Sequence, residues 1–317
     1  MKKVLVTGGA GFVGSALCKK LHEDGFKVFI VDNLSTGYKK NIIKGANFTK
    51  LDVGTTEFDD YLNVNNNFNI IYHIAAQSSG EISFENPEYD LKTNTLSTLK
   101  ILNYCKRNNV PLIFASSMSV YGAQNPGSEL SVAEDAHTNP LSFYAVGKKA
   151  SEDYISIYSK IYSIKAISLR FFNIYGPGQN LENVKQGMVS IFLAQSLRSN
   201  KIEIKGSLNR YRDQVYIDDV ISALIASSKA IKEIKEHEII NISTNLKTKI
   251  TDILDILKRE VNNDLNIIEL DGTPGDQFGI TGSNEKANKI LNWKPKTDFD
   301  SGLTKMIHWA RSSKQND

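Results

Sequence analysis

The chain has 317 residues, 41% of them hydrophobic and 23% charged, with a formal net charge of +3. This is enough apolar material for a large buried core and about two domains' worth of length. Charges of both signs are scattered rather than blocked, which argues against nucleic acid or a membrane surface as partner, and two distant cysteines, Cys18 and Cys105, make neither a disulfide framework nor a metal-ligand spacing.

From the start, short β-rich runs alternate with amphipathic ones. "KVLVT" is followed by a helix over 12–24 closed by Gly25, then by "KVFIVD", "NFTKLDV" and "NIIYHIA". A helix over 90–107, the strand "PLIFASS", a long helix holding Tyr144 and the strand "KAISLRFFN" continue the rhythm. The strands are apolar on both faces, as strands covered by helices on both sides must be. The pattern predicts an α/β fold, a Rossmann-type doubly wound parallel sheet, over 1–173. After Asn173 the texture changes to Gly- and Pro-containing connections between short elements, which predicts a smaller, interleaved C-terminal α+β lobe over 174–317, with segments near 212–243 returning to the first lobe as strand and helix. The apolar run after Met1-Lys2-Lys3 stops at Thr7-Gly8-Gly9, too short for a secretory signal, and no stretch approaches the roughly 18 apolar residues of a membrane span. A reducing, cytoplasmic setting is expected.

"VTGGAGFVGSAL" places Gly8, Gly11 and Gly14 directly after a strand and at the opening of a helix. Free N–H groups at the helix start meet a diphosphate there, and the glycines let the backbone come close, so Gly8, Gly11, Phe12, Val13 and Gly14 are candidate cofactor contacts. Asp32 ends the second strand and can accept from the adenosine ribose hydroxyls, while its charge repels a 2′-phosphate, which favours NAD over NADP. The alternative is an Asp that caps the turn "NLSTG". Asn33, Leu34 and Ser35 follow it as further candidates, and Asp52 and Val53 end the third strand, where they can border the adenine.

In "SFYAVGKKASE" the i, i+4 spacing puts Tyr144 and Lys148 on one helix face. A phenol with a pKa near 10 is a poor base at neutral pH. An ammonium about 6 Å away, at an effective dielectric of about 20, stabilises the phenolate by roughly 3 kcal/mol, about two pKa units. Tyr144 is then expected to take a proton from a substrate hydroxyl as a hydride leaves the same carbon. The competing reading is an amphipathic helix with a half-buried Tyr and a snorkelling Lys. Against it stands "FASSMSVYG", which supplies Ser116, Ser117 and Ser119 upstream, where a hydroxyl can bridge Tyr144 and the reacting oxygen.

These motifs, with "HIAAQSS", "KTNTLSTL", "RFFNIYGPGQ", "RDQVYIDDV" and "LNWKPKTDFDSGL", resemble the extended short-chain dehydrogenase/reductase family over almost the whole chain, in particular its NAD-dependent nucleotide-sugar epimerases and dehydratases of the UDP-glucose 4-epimerase type. The resemblance implies Tyr144 as acid and base, Lys148 as holder of the nicotinamide ribose, and Ser117 as partner of the reacting hydroxyl. It implies Phe12, Val13, Asp32, Asn33, Asp52, Val53, Ala75, Ala76, Gln77, Asn94 and Phe172 around NAD, and Ser119, Asn173 and Arg212 toward the substrate, a nucleotide-diphosphate sugar. For Arg212 the alternative is an ion pair with Asp213 or Asp218.

Relatives that eliminate water carry an Asp-Glu pair just after the serine, and those that decarboxylate UDP-glucuronate a Glu at the second position. Met118 and Ser119 stand there in this chain. The reaction implied is therefore C4 epimerisation through a transient 4-keto sugar, with UDP-glucose, UDP-galactose or an N-acetyl analogue favoured. C4 dehydrogenation, 2- or 3,5-epimerisation of a GDP-, CDP- or dTDP-sugar, and a non-catalytic dinucleotide sensor are the alternatives. Three departures bear on the nucleotide: Lys205 and Gln214 stand where relatives often carry an aromatic, and Thr273, before Gly275-Asp276, replaces an arginine. Ile280 matches a position that gates between hexoses and N-acetylhexosamines. The five histidines show no metal spacing, so no metal is expected, and Trp293 is read as packing. A homodimer paired through the helices beginning near Asp90 and Phe143 is implied by the resemblance.

Overall fold

The structure, a computed structural model, describes every residue except 66, 124–130, 184–186, 273–277 and 314–317, and the side chain of residue 313. In chain order it runs β1 (Lys3–Thr7), α1 (Phe12–Glu23), β2 (Lys27–Asp32), β3 (Asn47–Lys50), α2 (Thr56–Val64), β4 (Ile70–His73), α3 (Gly80–Glu85), α4 (Pro87–Asp90), a wide π-type turn at Leu91–Leu96, α5 (Ser97–Asn108), β5 (Leu112–Ser117), α6 (Phe143–Tyr162), β6 (Ala166–Phe171) and β7 (Asn173–Tyr175). There follow α7 (Met188–Arg198), β8 (Lys201–Lys205), β9 (Tyr211–Arg212), β10 (Gln214–Tyr216), α8 (Ile217–Ala230), β11 (Glu238–Ile242), β12 (Thr248–Lys249), α9 (Ile250–Glu260), β13 (Asn266–Leu270), α10 (Glu285–Leu291) and α11 (Phe299–Ser313).

Seven strands form one sheet in the order β11-β6-β5-β4-β1-β2-β3, every neighbour parallel. This is the α/β, Rossmann-type doubly wound sheet expected from the sequence. Side chains alternate across it: Val4 and Val6 join one core with α1 and α8, and Leu5 joins the other with α2 and α5. The chain order reverses between β1 and β4, and the crevice outside the carboxyl ends of the strands at that switch point is where such sheets bind ligands.

Two expectations need revising. The helix expected over 90–107 is broken into α4, the π-type turn and α5, because the hydroxyls of Ser97, Thr98 and Ser151 donate to the carbonyls of Thr93 and Asn94 that the wide turn frees. The strand of "RDQVYIDDV" pairs with β7 outside the main sheet. What joins that sheet is β11, beside β6, while α8 packs on α1. The remaining short strands pair as β12 with β9 and β13 with β8. Trp293 is buried and its indole N–H donates to the Asp219 carbonyl (3.0 Å) and the Ser222 hydroxyl (2.8 Å), consistent with packing.

Inside the sheet, His73 is 1% exposed, with Nδ1 2.8 Å from the Thr7 hydroxyl and Nε2 3.0 Å from that of Ser97. Burial, reinforced by the nearby Lys148 charge, holds its pKa down to about 3. The unfolded chain takes up this proton near pH 6.5, so the stability His73 contributes is complete above that pH and is lost as pH falls toward 3. Wild-type unfolding free energy should therefore drop between pH 6.5 and 5 more steeply than that of His73→Gln, by up to about 1.4 kcal/mol per pH unit. Urea melts at pH 7.5, 6 and 5 measure both slopes, and parallel slopes would contradict the assignment.

Candidate active site

The carboxyl ends of β1, β2, β4, β5 and β6 surround a cleft of about 470 Å³. At its floor, the turn after β1 is fixed by backbone contact. Gly8 has φ +73° and donates to the Val31 carbonyl at 2.8 Å, while a Cβ on Gly14 would lie 2.0 Å from the Gly8 oxygen. The start of α1 has no side-chain cap and no acidic residue in its first turn, so its N–H groups and positive dipole end face the cleft at Gly11, Phe12 and Val13.

Asp32 is 8% exposed and lines the cleft. One carboxylate oxygen accepts from Ala10 N (2.9 Å) and the other from Leu34 N (2.7 Å). The turn-capping role and a cleft-facing role thus coexist, because each oxygen keeps a second lone pair. The cap holds Leu34 at φ 61°, a left-handed conformation unusual for a leucine.

On the opposite wall, α6 begins at Ser142, whose hydroxyl caps Ala145 N at 3.2 Å, and carries Tyr144 and Lys148 into the cleft. The Ser117 hydroxyl is near enough to Tyr144 to favour its ionised form, and Ser117 Oγ accepts from Ser119 N (3.2 Å) and Oγ (2.9 Å). Lys148 is 1% exposed; its Nζ donates to the Ala115 carbonyl (2.8 Å), lies 4.7 Å from the Phe114 ring centroid and 5.9 Å from that of Tyr144. The expected acidification of Tyr144 is not found. Burial pushes its pKa up to about 12, with the Ser117 hydroxyl pulling down and the Asp90 charge pushing up. Burial brings Lys148 down to about 7, against the opposing charges of Asp90 and Glu152. Desolvation of the phenol thus outweighs the attraction of a lysine whose ammonium is spent on a backbone carbonyl.

Of the other candidates, Asn33, Ser35, Val53, Ala75, Ala76, Phe172, Asn173 and Ser119 line the cleft. Leu34, Asp52, Gln77, Asn94 and Arg212 do not. Asp52 is turned to Asn33 (2.7 Å) and Gly54 N (2.8 Å) beside a neighbouring shallow depression. The Gln77 and Asn94 amides both donate at 2.9 Å to buried Asp90, behind the cleft wall. Arg212 donates to the carbonyls of Tyr211 (2.8 Å) and Phe278 (3.3 Å), and Asp213 is taken up by Thr244, Asn245 and Gly282. Ile280 is 2% exposed and Gln214 is buried, whereas Lys205 is exposed; Thr273, Gly275 and Asp276 lie outside the described residues.

Sequence reading missed the ionic layer beneath Ser117. Ser116 Oγ donates to Glu152 (2.6 Å), which forms a buried two-pronged pair with Arg170 (2.9 and 2.8 Å). The signal was present: Glu152 is one helical turn beyond Lys148, and Arg170 is the one charge in "AISLRF". Among the described residues no cluster of three or more His, Cys, Asp or Glu could hold a metal, and no helix is long and apolar enough to cross a membrane.

A model of the NAD dependent epimerase/dehydratase family matches residues 4–243. The chain belongs to this family. It is an enzyme and its cofactor is NAD. A Methanocaldococcus jannaschii protein provisionally named UDP-glucose 4-epimerase is 35% identical over 312 residues, 98% of this chain and 99% of its own. UDP-glucuronic acid decarboxylase 1 of Xenopus tropicalis is 31% identical over 318 residues, 98% of this chain and 72% of its own. The crystal structure of UDP-glucose 4-epimerase from Thermotoga maritima with UDP-glucose aligns with a TM-score of 0.92 at 31% identity, covering 98% of this chain and 99% of that one.

The residues present fit the cofactor of the family. The glycine turn leaves no room for side chains, the start of α1 offers uncapped donors, and the cleft-lining Thr93 hydroxyl is buried without a partner. Gly14→Ala forces a methyl into the Gly8 carbonyl, so it should destabilise the fold by about 1–3 kcal/mol and abolish NAD binding at concentrations that saturate wild type. Urea melts and fluorescence titration with NADH read the two effects; unchanged stability and affinity would show that the turn is free to open.

Proposed function

We propose that the protein interconverts the C4 epimers of a UDP-hexose through a transient 4-keto sugar. The observation that carries this is the Tyr144–Ser117 pair at one wall of the dinucleotide cleft, with no carboxylate exposed to the cleft beside it: among the described lining residues the only carboxylate is Asp32, which the expected cofactor pose puts at the adenosine end. Elimination of water from the sugar needs a further acid and base there, and the positions that would supply them hold Met118 and Ser119. The names of the relatives, with UDP-glucose in the Thermotoga structure, support UDP as the nucleotide.

Bound NAD supplies the hydride acceptor and donor and, in its oxidised form, a positive charge that favours the phenolate. As its phenolate, Tyr144 Oη would take the proton of the C4 hydroxyl and, as the phenol so formed, return it once the sugar has presented its other face. Ser117 orients that hydroxyl, and its nearness lowers the cost of ionising Tyr144. Lys148 anchors the helix bearing Tyr144 to the strand bearing Ser117 through the Ala115 carbonyl, so the two hydroxyls keep their separation. Asn173 Oδ1, buried in the lining without a partner, would accept from a hydroxyl or N–H of the sugar nucleotide.

Two outcomes follow from this chemistry. Tyr144→Phe should keep its fold and its NAD affinity while losing about 10²- to 10⁴-fold in turnover. Turnover of UDP-glucose or UDP-galactose in D₂O, followed by NMR, should give a product without carbon-bound deuterium. Deuterium beside C4 would point to enolisation and a 2- or 3,5-epimerase, and accumulating NADH without isomerised sugar to a dehydrogenase.

A further inference from the structure

Two carboxylates flank the Lys148 ammonium, and they differ in how they are compensated. Glu152 is neutralised by its two-pronged pair with Arg170. Asp90 is not: it is 1% exposed, its Oδ2 accepts from two neutral amides, Gln77 Nε2 and Asn94 Nδ2, each at 2.9 Å, and among the described residues no cation touches it. Its other oxygen abuts α6. A Cβ built on Gly147 would lie 3.4 Å from Asp90 Oδ1, so the missing side chain lets the carboxylate lie against the helix backbone between Tyr144 and Lys148. The wide turn at Leu91–Leu96 holds it there, with Thr95 Oγ1 donating to the Gly147 carbonyl (3.3 Å) and Ser151 Oγ to that of Asn94 (2.9 Å).

We propose that Asp90 is a positioning residue for the proton exchange at Tyr144: its buried carboxylate is the counter-charge that holds the proton on Lys148 and on the Tyr144 hydroxyl. The proposal rests on Tyr144 being the acid and base. The other groups around the pair leave this place to Asp90. His73, from β4, is neutral between Thr7 and Ser97; Phe114, from β5, offers only its ring face; Glu152 is consumed by Arg170; and the Lys148 hydrogen bond goes to a carbonyl. The electrostatics run the same way. Asp90 is the largest influence keeping Lys148 charged against its burial, and the same charge opposes the Tyr144 phenolate. Asp90 is itself pushed up by burial, as an uncompensated carboxylate should be. Removing its charge without removing its shape should therefore release both protons at lower pH.

The test is a titration of Lys148 by NMR of the protein labelled with carbon-13 at the lysine ε-carbon, the signal being assigned with Lys148→Met. In wild type the midpoint is expected at about 7. Asp90→Asn, or Asp90→Ser should the first not fold, is expected to move it down by about one pH unit and to move the pH profile of turnover the same way, whereas Asp90→Glu keeps it in place. A uniform loss of activity with an unmoved midpoint, or loss of the fold in both neutral variants with Asp90→Glu intact, would make Asp90 a structural residue and overturn the proposal. Full turnover by Tyr144→Phe would instead remove the acid and base role of Tyr144, and the Lys148 midpoint would still report on Asp90.

Discussion

A lysine ammonium sealed beneath the cleft is the constraint around which the site is organised. Lys148 is 1% exposed, and a buried charge without compensation costs several kcal/mol. The surroundings answer with a carbonyl at 2.8 Å, the face of Phe114 and two buried carboxylates. These come from three elements: β5, which gives both the carbonyl and the ring, the end of α4, and the next turn of α6. The charge thereby ties the helix of Tyr144 to the strand of Ser117, and an error in any one packing contact would be felt as an unpaired charge.

The topology explains why these parts meet where they do. In a parallel sheet every strand delivers its last residue to the same edge, so Gly8, Asp32, Ala75, Ser117 and Phe172 lie at or just after five strand ends that converge without long loops. The reversal between β1 and β4 opens the edge just where the glycine turn brings the start of α1. Ser116 and Ser117 illustrate the pleat at work: the first points down into the Glu152–Arg170 pair and the second into the cleft. One dipeptide thus serves the foundation and the chemistry.

Much of this was legible in the sequence, for identifiable reasons. The strands β1 and β2 fall on the residues their apolar runs marked, and the glycine turn follows β1 as its spacing required. What was missed depends on tertiary context. The break at Leu91–Leu96 has no proline or glycine to announce it; it exists because hydroxyls from the start of α5 and from α6 donate to the freed carbonyls. Gln77 and Asn94 are polar residues in a cofactor-binding neighbourhood, yet their amides are drawn back to Asp90, a buried carboxylate whose need for donors outranks the cleft. The acidity of Tyr144 was misjudged because a Coulomb estimate at fixed dielectric carries no desolvation of the phenol, and in this pocket desolvation is the larger effect.

A catalyst for both C4 epimers has to hold a sugar nucleotide firmly while leaving the reacting ring unfixed. Under the proposed reaction, two unpaired polar atoms of the lining would serve such a division. Asn173 Oδ1 and Gln179 Oε1 are buried acceptors without partners, each costing about 1–3 kcal/mol until a donor arrives. Both belong to the stretch that follows β6, away from the Ser117–Tyr144 pair on β5 and α6. Under the proposed reaction, binding energy is gathered by acceptors on one side of the cleft and proton chemistry is confined to two hydroxyls on the other. A ring tethered at one side can then present either face to the same phenol, so a single Tyr144 serves both directions of the interconversion.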